Sequence, residues 1–299
     1  MIIWLSRVKG DHVHEQHRTA VLNTYRHLRL AMIVIVVVLG TAVLLQRFEA
    51  GCWQTSISAY YFTAVHGVFI AALCAIGACL IVYKGSSDTE DTVLNLSGFL
   101  AFVVAMVPIA PEGICGGPSL TAEYDVSPGV GNNVAAVLVT GVIAGVVRLV
   151  LAYKANPERP LSRPAMVSLA VGWIVLAAGA AVFVFNRRQF EAEGHKVAAV
   201  LMFAGIVLVI LINAWSAQKR HNAKVFVQLY GAVASVMGLA LVVIVAIRSV
   251  VPGWQHVIIY VEVVLIAAFA VFWGIQTTEL WGVVDRDELP ARTADRTEK

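Results

Sequence analysis

The sequence predicts an all-α fold: a polytopic transmembrane helical bundle of eight spans with both termini cytosolic. Three observations predict it. Eight stretches of 17 to 26 mostly apolar residues follow one another, and a helix needs about 20 residues to cross a hydrocarbon core about 30 Å thick. Hydrophobic residues make up 59% of the chain and charged residues 14%, with a mean hydropathy of +0.78, against about 25% charged in soluble domains. Residues that break or hydrate a helix gather between the stretches, where backbone groups meet water.

In order, the spans fall at about Leu28–Gln46, Tyr61–Tyr83, Leu94–Ala110, Val130–Tyr153, Ala165–Phe185, His195–Ala217, Val225–Ile247 and Gln255–Leu280. Gly51, Lys84–Gly85, Pro111, Asn156–Pro157, Asn186–Arg188, Gln218–His221 and Pro252–Gly253 punctuate them. Residues 1–27 form a cytosolic N-terminal segment, 28–280 the membrane domain and 281–299 a cytosolic tail. Direction comes from the basic residues. Lys84, Lys154, Arg159, Arg163, Lys219, Arg220, Lys224 and Arg286 join both termini on the inner side, against Arg47, Arg187, Arg188, Lys196 and Arg248 outside. The net charge of +3 therefore records insertion and gives no footing for nucleic acid.

Small residues recur every four positions at Gly67, Ala71, Ala75 and Cys79, at Ser97, Ala101 and Ala105, and at Gly141 and Gly145. Such spacing lets membrane helices approach closely. The two halves of the chain share only general apolar similarity, which gives an inverted-repeat transporter no support. Trp53, Tyr60, Tyr61 and Trp254 fit an interfacial belt, and Ser86 to Asp91 reads as a solvated turn capping the third span. Asn213, Arg148 and Lys154 lie near inner ends, where side chains snorkel to the surface.

Of the four cysteines, Cys74 and Cys79 read as small packing residues in the second span. Cys52 and Cys115 both fall outside, where an oxidising exterior permits a disulfide; two free thiols are the alternative. Cys115 lies in the Gly- and Pro-rich segment 111–129, with Glu112, Glu123 and Asp125, which is either a cap over the outer mouth or a passive linker.

Glu262 is the most informative single residue. It lies about 9 Å below the outer interface at about 1.5 Å per residue, where an acidic side chain costs on the order of 2–3 kcal/mol and needs a partner, a proton or a wet cavity. Gln255, Glu262, Phe269 and Gln276 share one helix face at seven-residue spacing. His66 lies at similar depth in the second span, so a His66–Glu262 pair is one reading; separate local partners are the other. Gln228, Gly231, Ser235 and Gly238 make a polar and small stripe on the seventh span that either lines a cavity or packs. The ligand-binding set read from the sequence is therefore Glu262, His66, Gln228, Ser235 and Gln255. The string Asp11 to His17 carries metal-capable side chains but reads as a hydrophilic tail, so no metal site is assigned. No phosphate loop, HExxH helix or nucleophile elbow occurs, and the cofactor is left unassigned.

Ser56-Ile57-Ser58-Ala59-Tyr60-Tyr61, then Tyr83-Lys84-Gly85, Glu90-Asp91 and Asn95-Leu96-Ser97-Gly98 closing with Pro108, resembles uncharacterised multi-pass inner-membrane proteins of actinobacterial type. The likeness covers about residues 52–111 and implies a bacterial inner (plasma) membrane without implying an activity. Ser56 or Ser58, His66 and His256 bear a fainter likeness to the alkaline-ceramidase and adiponectin-receptor-like membrane hydrolases, which would imply zinc. That family's paired histidines on its last helix are not matched, since His256 stands alone, and no span carries an Asp.

Three functions follow as expectations. One is an integral membrane protein binding or translocating a lipid or small solute through an outer-leaflet cavity around Glu262. The second is a membrane-embedded metal-dependent hydrolase. The third is an accessory subunit partnered by another membrane protein. The first is preferred, and enzyme activity is the less favoured reading.

Overall fold

The computed structural model describes residues 2–109, 115, 127–155, 163–220, 224–250, 257–283 and 286–289. They form eight α-helices and two short 3-10 helices, with no strand among the described residues. The α-helices are α1 (Ile2–Ala50), α2 (His66–Val82), α3 (Asp88–Met106), α4 (Ser127–Ala155), α5 (Arg163–Phe185), α6 (Arg187–Gln218), α7 (Lys224–Val250) and α8 (Ile258–Glu279). Six of them, α1, α3, α4, α6, α7 and α8, are long and apolar enough to cross a membrane. The other two apolar stretches, α2 and Leu169–Phe185 of α5, are shorter.

Several boundaries differ from the sequence expectation: α3 and α6 begin earlier than Leu94 and His195, at Asp88 and Arg187, and the first two spans differ as follows. No proline interrupts residues 2–50, so the first span is the end of one helix running from Ile2 until Gly51 adopts φ 75°. The second span starts later than Tyr61. Hydroxyl groups bind the backbone there: Ala59 N–H donates to Ser56 Oγ at 3.0 Å, and Val65 N–H to Thr63 Oγ1 at 3.2 Å. These local bonds compete with an α-helix. Residues 58–62 instead form a 3-10 turn, and α2 begins at His66.

The helices close a ring: α1 packs on α2, α2 on α3, α3 on α6, α6 on α7, α7 on α8 and α8 on α1. The pair α4 and α5 lies outside it, against α3 and α6. Bulky side chains fill the ring, among them Met32, Leu80, Ile206, Tyr230, Phe272 and Trp273. A second apolar cluster, with Leu39, Val43, Tyr60, Phe62 and Phe69, fills the end that bears Cys52 and Cys115. That end is called here the disulfide end, and the opposite one the Arg286 end.

Close helix contacts fall at other small residues than the first stripe. Gly67 and Ala71 are exposed, and a methyl group at Gly67 would touch nothing. The α2–α3 contact runs instead through Gly77 and Gly98, where added methyls would come within 2.7 and 2.6 Å of the other glycine's carbonyl oxygen. Ala101 and Ala105 are fully buried, and Ser97 faces Gly205 of α6. Gly141 and Gly145 receive Leu176 and Trp173 of α5.

Candidate functional site

At the disulfide end, three attachments fix the segment between α1 and α2. Cys52 and Cys115 are joined, with Cα atoms 6.2 Å apart. Gln54 grips the Cys115 backbone from both sides, its Nε2 donating to the carbonyl at 2.8 Å and its Oε1 accepting the N–H at 3.2 Å. The Glu262 carboxylate accepts the N–H of Ile57 at 2.6 Å. Ile57 stands immediately before the 3-10 turn Ser58–Phe62, so the half-buried carboxylate of α8 meets an otherwise orphaned donor at its start. An ionised carboxylate accepting a backbone N–H makes a charge-assisted bond.

Beside it, Ser58 Oγ lies 2.8 Å from Nε2 of His195, the ninth residue of α6. His195 Nδ1 lies 2.6 Å from the carbonyl oxygen of Val107, just past α3. A carbonyl only accepts, so Nδ1 carries a proton, and in the neutral ring Nε2 accepts the hydrogen bond of the Ser58 hydroxyl. The imidazole is buried and Ser58 half-buried.

Among the residues read from sequence, His66 has its Nδ1 2.6 Å from the Tyr61 carbonyl and its ring edge-on to Tyr61. His66 and Glu262 thus each meet a backbone group of the 57–61 segment. Gln228 and Ser235 are exposed on the face of α7 opposite Tyr230 and Met237, and Ser235 Oγ donates to Gly231 O at 2.8 Å. Gln255, His256 and Trp254 lie outside the described residues, as do Glu112, Glu123 and Asp125. Tyr60 and Tyr61 are buried in the apolar cluster at the disulfide end and form no interfacial belt.

The Arg286 end carries a buried polar centre. Arg286 Nη2 donates to Glu279 Oε2 at 2.5 Å and to Asn213 Oδ1 at 2.7 Å. Tyr230 OH donates to the same Glu279 oxygen at 2.6 Å. Asn213 Nδ2 donates to Glu90 Oε1 at 2.7 Å, and Gln276 Nε2 to Asn213 Oδ1 at 2.8 Å. Burial opposes the charge on Arg286, but the Glu279 carboxylate outweighs it and holds the guanidinium pKa above its ordinary value. Arg29, fully buried, donates to Tyr83 OH and to the Leu280 carbonyl. Three expectations are corrected here. Glu90 and Asp91 are buried, not solvated, because Asn213, the Ser86 and Gly85 N–H groups and Lys84 bind them. Asn213 is fully buried, not snorkelling. Arg286 enters the bundle, although it lies in what reads as a free tail.

Two cavities flank the ring where α4 and α5 lean on it. One, about 390 Å³, runs from Gln189 and Glu193 at the disulfide end to Phe99, between Val103, Val134, Gly179 and Ala198. The other, about 400 Å³, continues from Phe99 past Gly145, Gly172 and Trp173 to Thr92 and Asn95. Glu262 lines neither.

Neither the Ser58–His195 couple nor the Arg286 centre is legible in the sequence. Partners 137 and 73 positions apart leave no local spacing to find. The signal available was a histidine at the very start of an apolar span. Among the described residues no three His, Cys, Asp or Glu side chains gather as a metal-binding group. No protein-family model, curated protein or solved structure matches the chain. All-helical architecture and six sufficiently long apolar helices are those of an integral membrane protein.

Proposed function

We propose that this chain is a multi-pass protein of a bacterial plasma membrane, with eight spans and both ends cytosolic, that binds a membrane lipid by its acyl chains. The seat of binding is the cleft between the six-helix ring and the α4–α5 pair, in place of a pocket around Glu262. One observation carries this reading: the two cavities meet at Phe99, hydrocarbon walls them, and their polar residues, Gln189 and Glu193 or Thr92 and Asn95, stand at opposite ends. Polar ends and an apolar middle match a lipid's own division. Each volume lies within the range of about 300–1,000 Å³ typical of small-molecule sites.

Gly172 and Gly179 line the cavities, and a methyl group added at either meets nothing within 4 Å. Gly172→Phe and Gly179→Phe should therefore fill the cleft without disturbing the fold. Native mass spectrometry of protein from membrane extracts should show bound lipid on the parent chain and its loss from the double variant. Equal lipid on both, with both folded, would reject the cleft as the site.

A further inference from the structure

We propose that Ser58 is a nucleophile and His195 its base, and that together they hydrolyse an ester bond of a lipid held in the neighbouring cleft. The proposal rests on the lipid-binding reading above and adds a reaction to it.

The geometry supplies the parts of an activated hydroxyl in order. Val107 O fixes which ring nitrogen of His195 is protonated, at 2.6 Å. The opposite nitrogen then holds a lone pair aimed at Ser58 Oγ, at 2.8 Å. Nucleophile, base and a group orienting the base stand within hydrogen-bond reach of one another, which is the arrangement covalent catalysis requires. The orienting group is a carbonyl where many such sites use a carboxylate. It sets the tautomer equally well and makes Val107 O a positioning group.

The hydroxyl is also held still. Glu262 pins Ile57, the residue before Ser58, and the disulfide and Gln54 fix the chain upstream. Preorganisation of this kind is what a reacting group needs, since misplacement by about 1 Å can cost on the order of 100-fold in rate. Neither Ser58 nor His195 lines the 390 Å³ cavity, but Gly194, Val197 and Ala198, around His195 on α6, do, as does Met106, next to Val107. An acyl chain lying there towards Phe99 leaves its ester at the disulfide end, where Ser58 stands.

The chemistry balances with water as the only co-reactant. Ser58 Oγ attacks the ester carbonyl carbon as its proton passes to His195 Nε2. The C–O bond to the alcohol breaks, and the departing oxygen takes the proton from His195. Water then attacks the acyl-serine, gives its proton to His195, and the fatty acid leaves as Ser58 recovers the hydrogen.

The test uses the full chain in lipid nanodiscs and a fluorophosphonate probe, which phosphonylates activated serines. Peptide mapping should place the adduct on Ser58, and His195→Gln should slow labelling by roughly 100-fold, the scale of a lost general base. A second measurement does not depend on the probe. In Ser58→Cys, alkylation of the introduced thiol by iodoacetamide at neutral pH should be at least about 10-fold faster with His195 present than with His195→Gln. An unlabelled Ser58 in folded protein that still carries lipid would overturn the reaction while leaving the binding reading intact. Equal alkylation rates with and without His195 would overturn it too.

Discussion

Glu262 and Ile57, 205 positions apart, are joined by one short bond from a backbone N–H to a carboxylate oxygen, at 2.6 Å. An acidic residue that looks like a lipid-buried liability is thereby the anchor of the segment that carries Ser58.

Replacing that carboxylate should weaken the anchor in a graded way. Glu262→Ala should lower stability by about 2 kcal/mol, the scale of a hydrogen bond to a charged group. Glu262→Gln keeps an oxygen acceptor and should lose about half as much. Thermal unfolding in nanodiscs reads the difference, and two equal losses would argue that the Ile57 contact contributes nothing.

The Arg286 centre predicts a larger loss with a characteristic rescue. Arg286→Ala leaves the buried Glu279 carboxylate without its cation, at a cost of about 3–5 kcal/mol. Adding Glu279→Gln should recover part of it, because the stranded charge is gone. A double-mutant cycle measures this coupling, and simple additivity would contradict the pairing.

Reduction should loosen the disulfide end. The bridge closes 63 residues of chain, which corresponds to about 4 kcal/mol on the chain-entropy account. The melting temperature should fall with reductant in the parent chain and stay unchanged by reductant in Cys52→Ser and Cys115→Ser. A reductant-insensitive parent would contradict the cross-link.

Two glycines on α2 and α3 should behave in opposite ways. A methyl at Gly98 would press within 2.6 Å of Gly77 O, so Gly98→Ala should destabilise by about 1–3 kcal/mol. At Gly67 it meets nothing, and Gly67→Ala should be neutral or gain up to about 1 kcal/mol of helix propensity. Comparable losses at both sites would remove the α2–α3 contact proposed for Gly77 and Gly98.

Hydropathy alone located all eight helices, because apolar length and polar punctuation are local properties of the chain. Glu262 was legible as an expensive residue needing compensation, but the compensating group is a backbone N–H, which no side-chain pattern displays. Glu90, Asp91, Asn213 and Arg286 misled for a related reason. Each lies in or beside a stretch that composition marks as aqueous, and only ring closure brings them together to be buried. Of the stripe from Gly67 to Cys79, Gly67 and Ala71 are exposed while Cys79 packs against the core, since small residues say that helices can approach but not from which side. Ser58 and His195 belong to different helical hairpins and become neighbours only once α6 is set against α3.

That α3–α6 contact also makes α4 and α5 a detour. The chain leaves the ring after Met106 and re-enters it at Arg187, and the Val107 carbonyl already touches α6 at His195. Residues 127–185 thus hang from the barrel as a side branch, with no stave of its wall depending on them for continuity. Insertions, deletions or wholesale exchange of that branch would reshape the cleft while the hoop of six helices, and the serine–histidine couple mounted on it, stayed as they are.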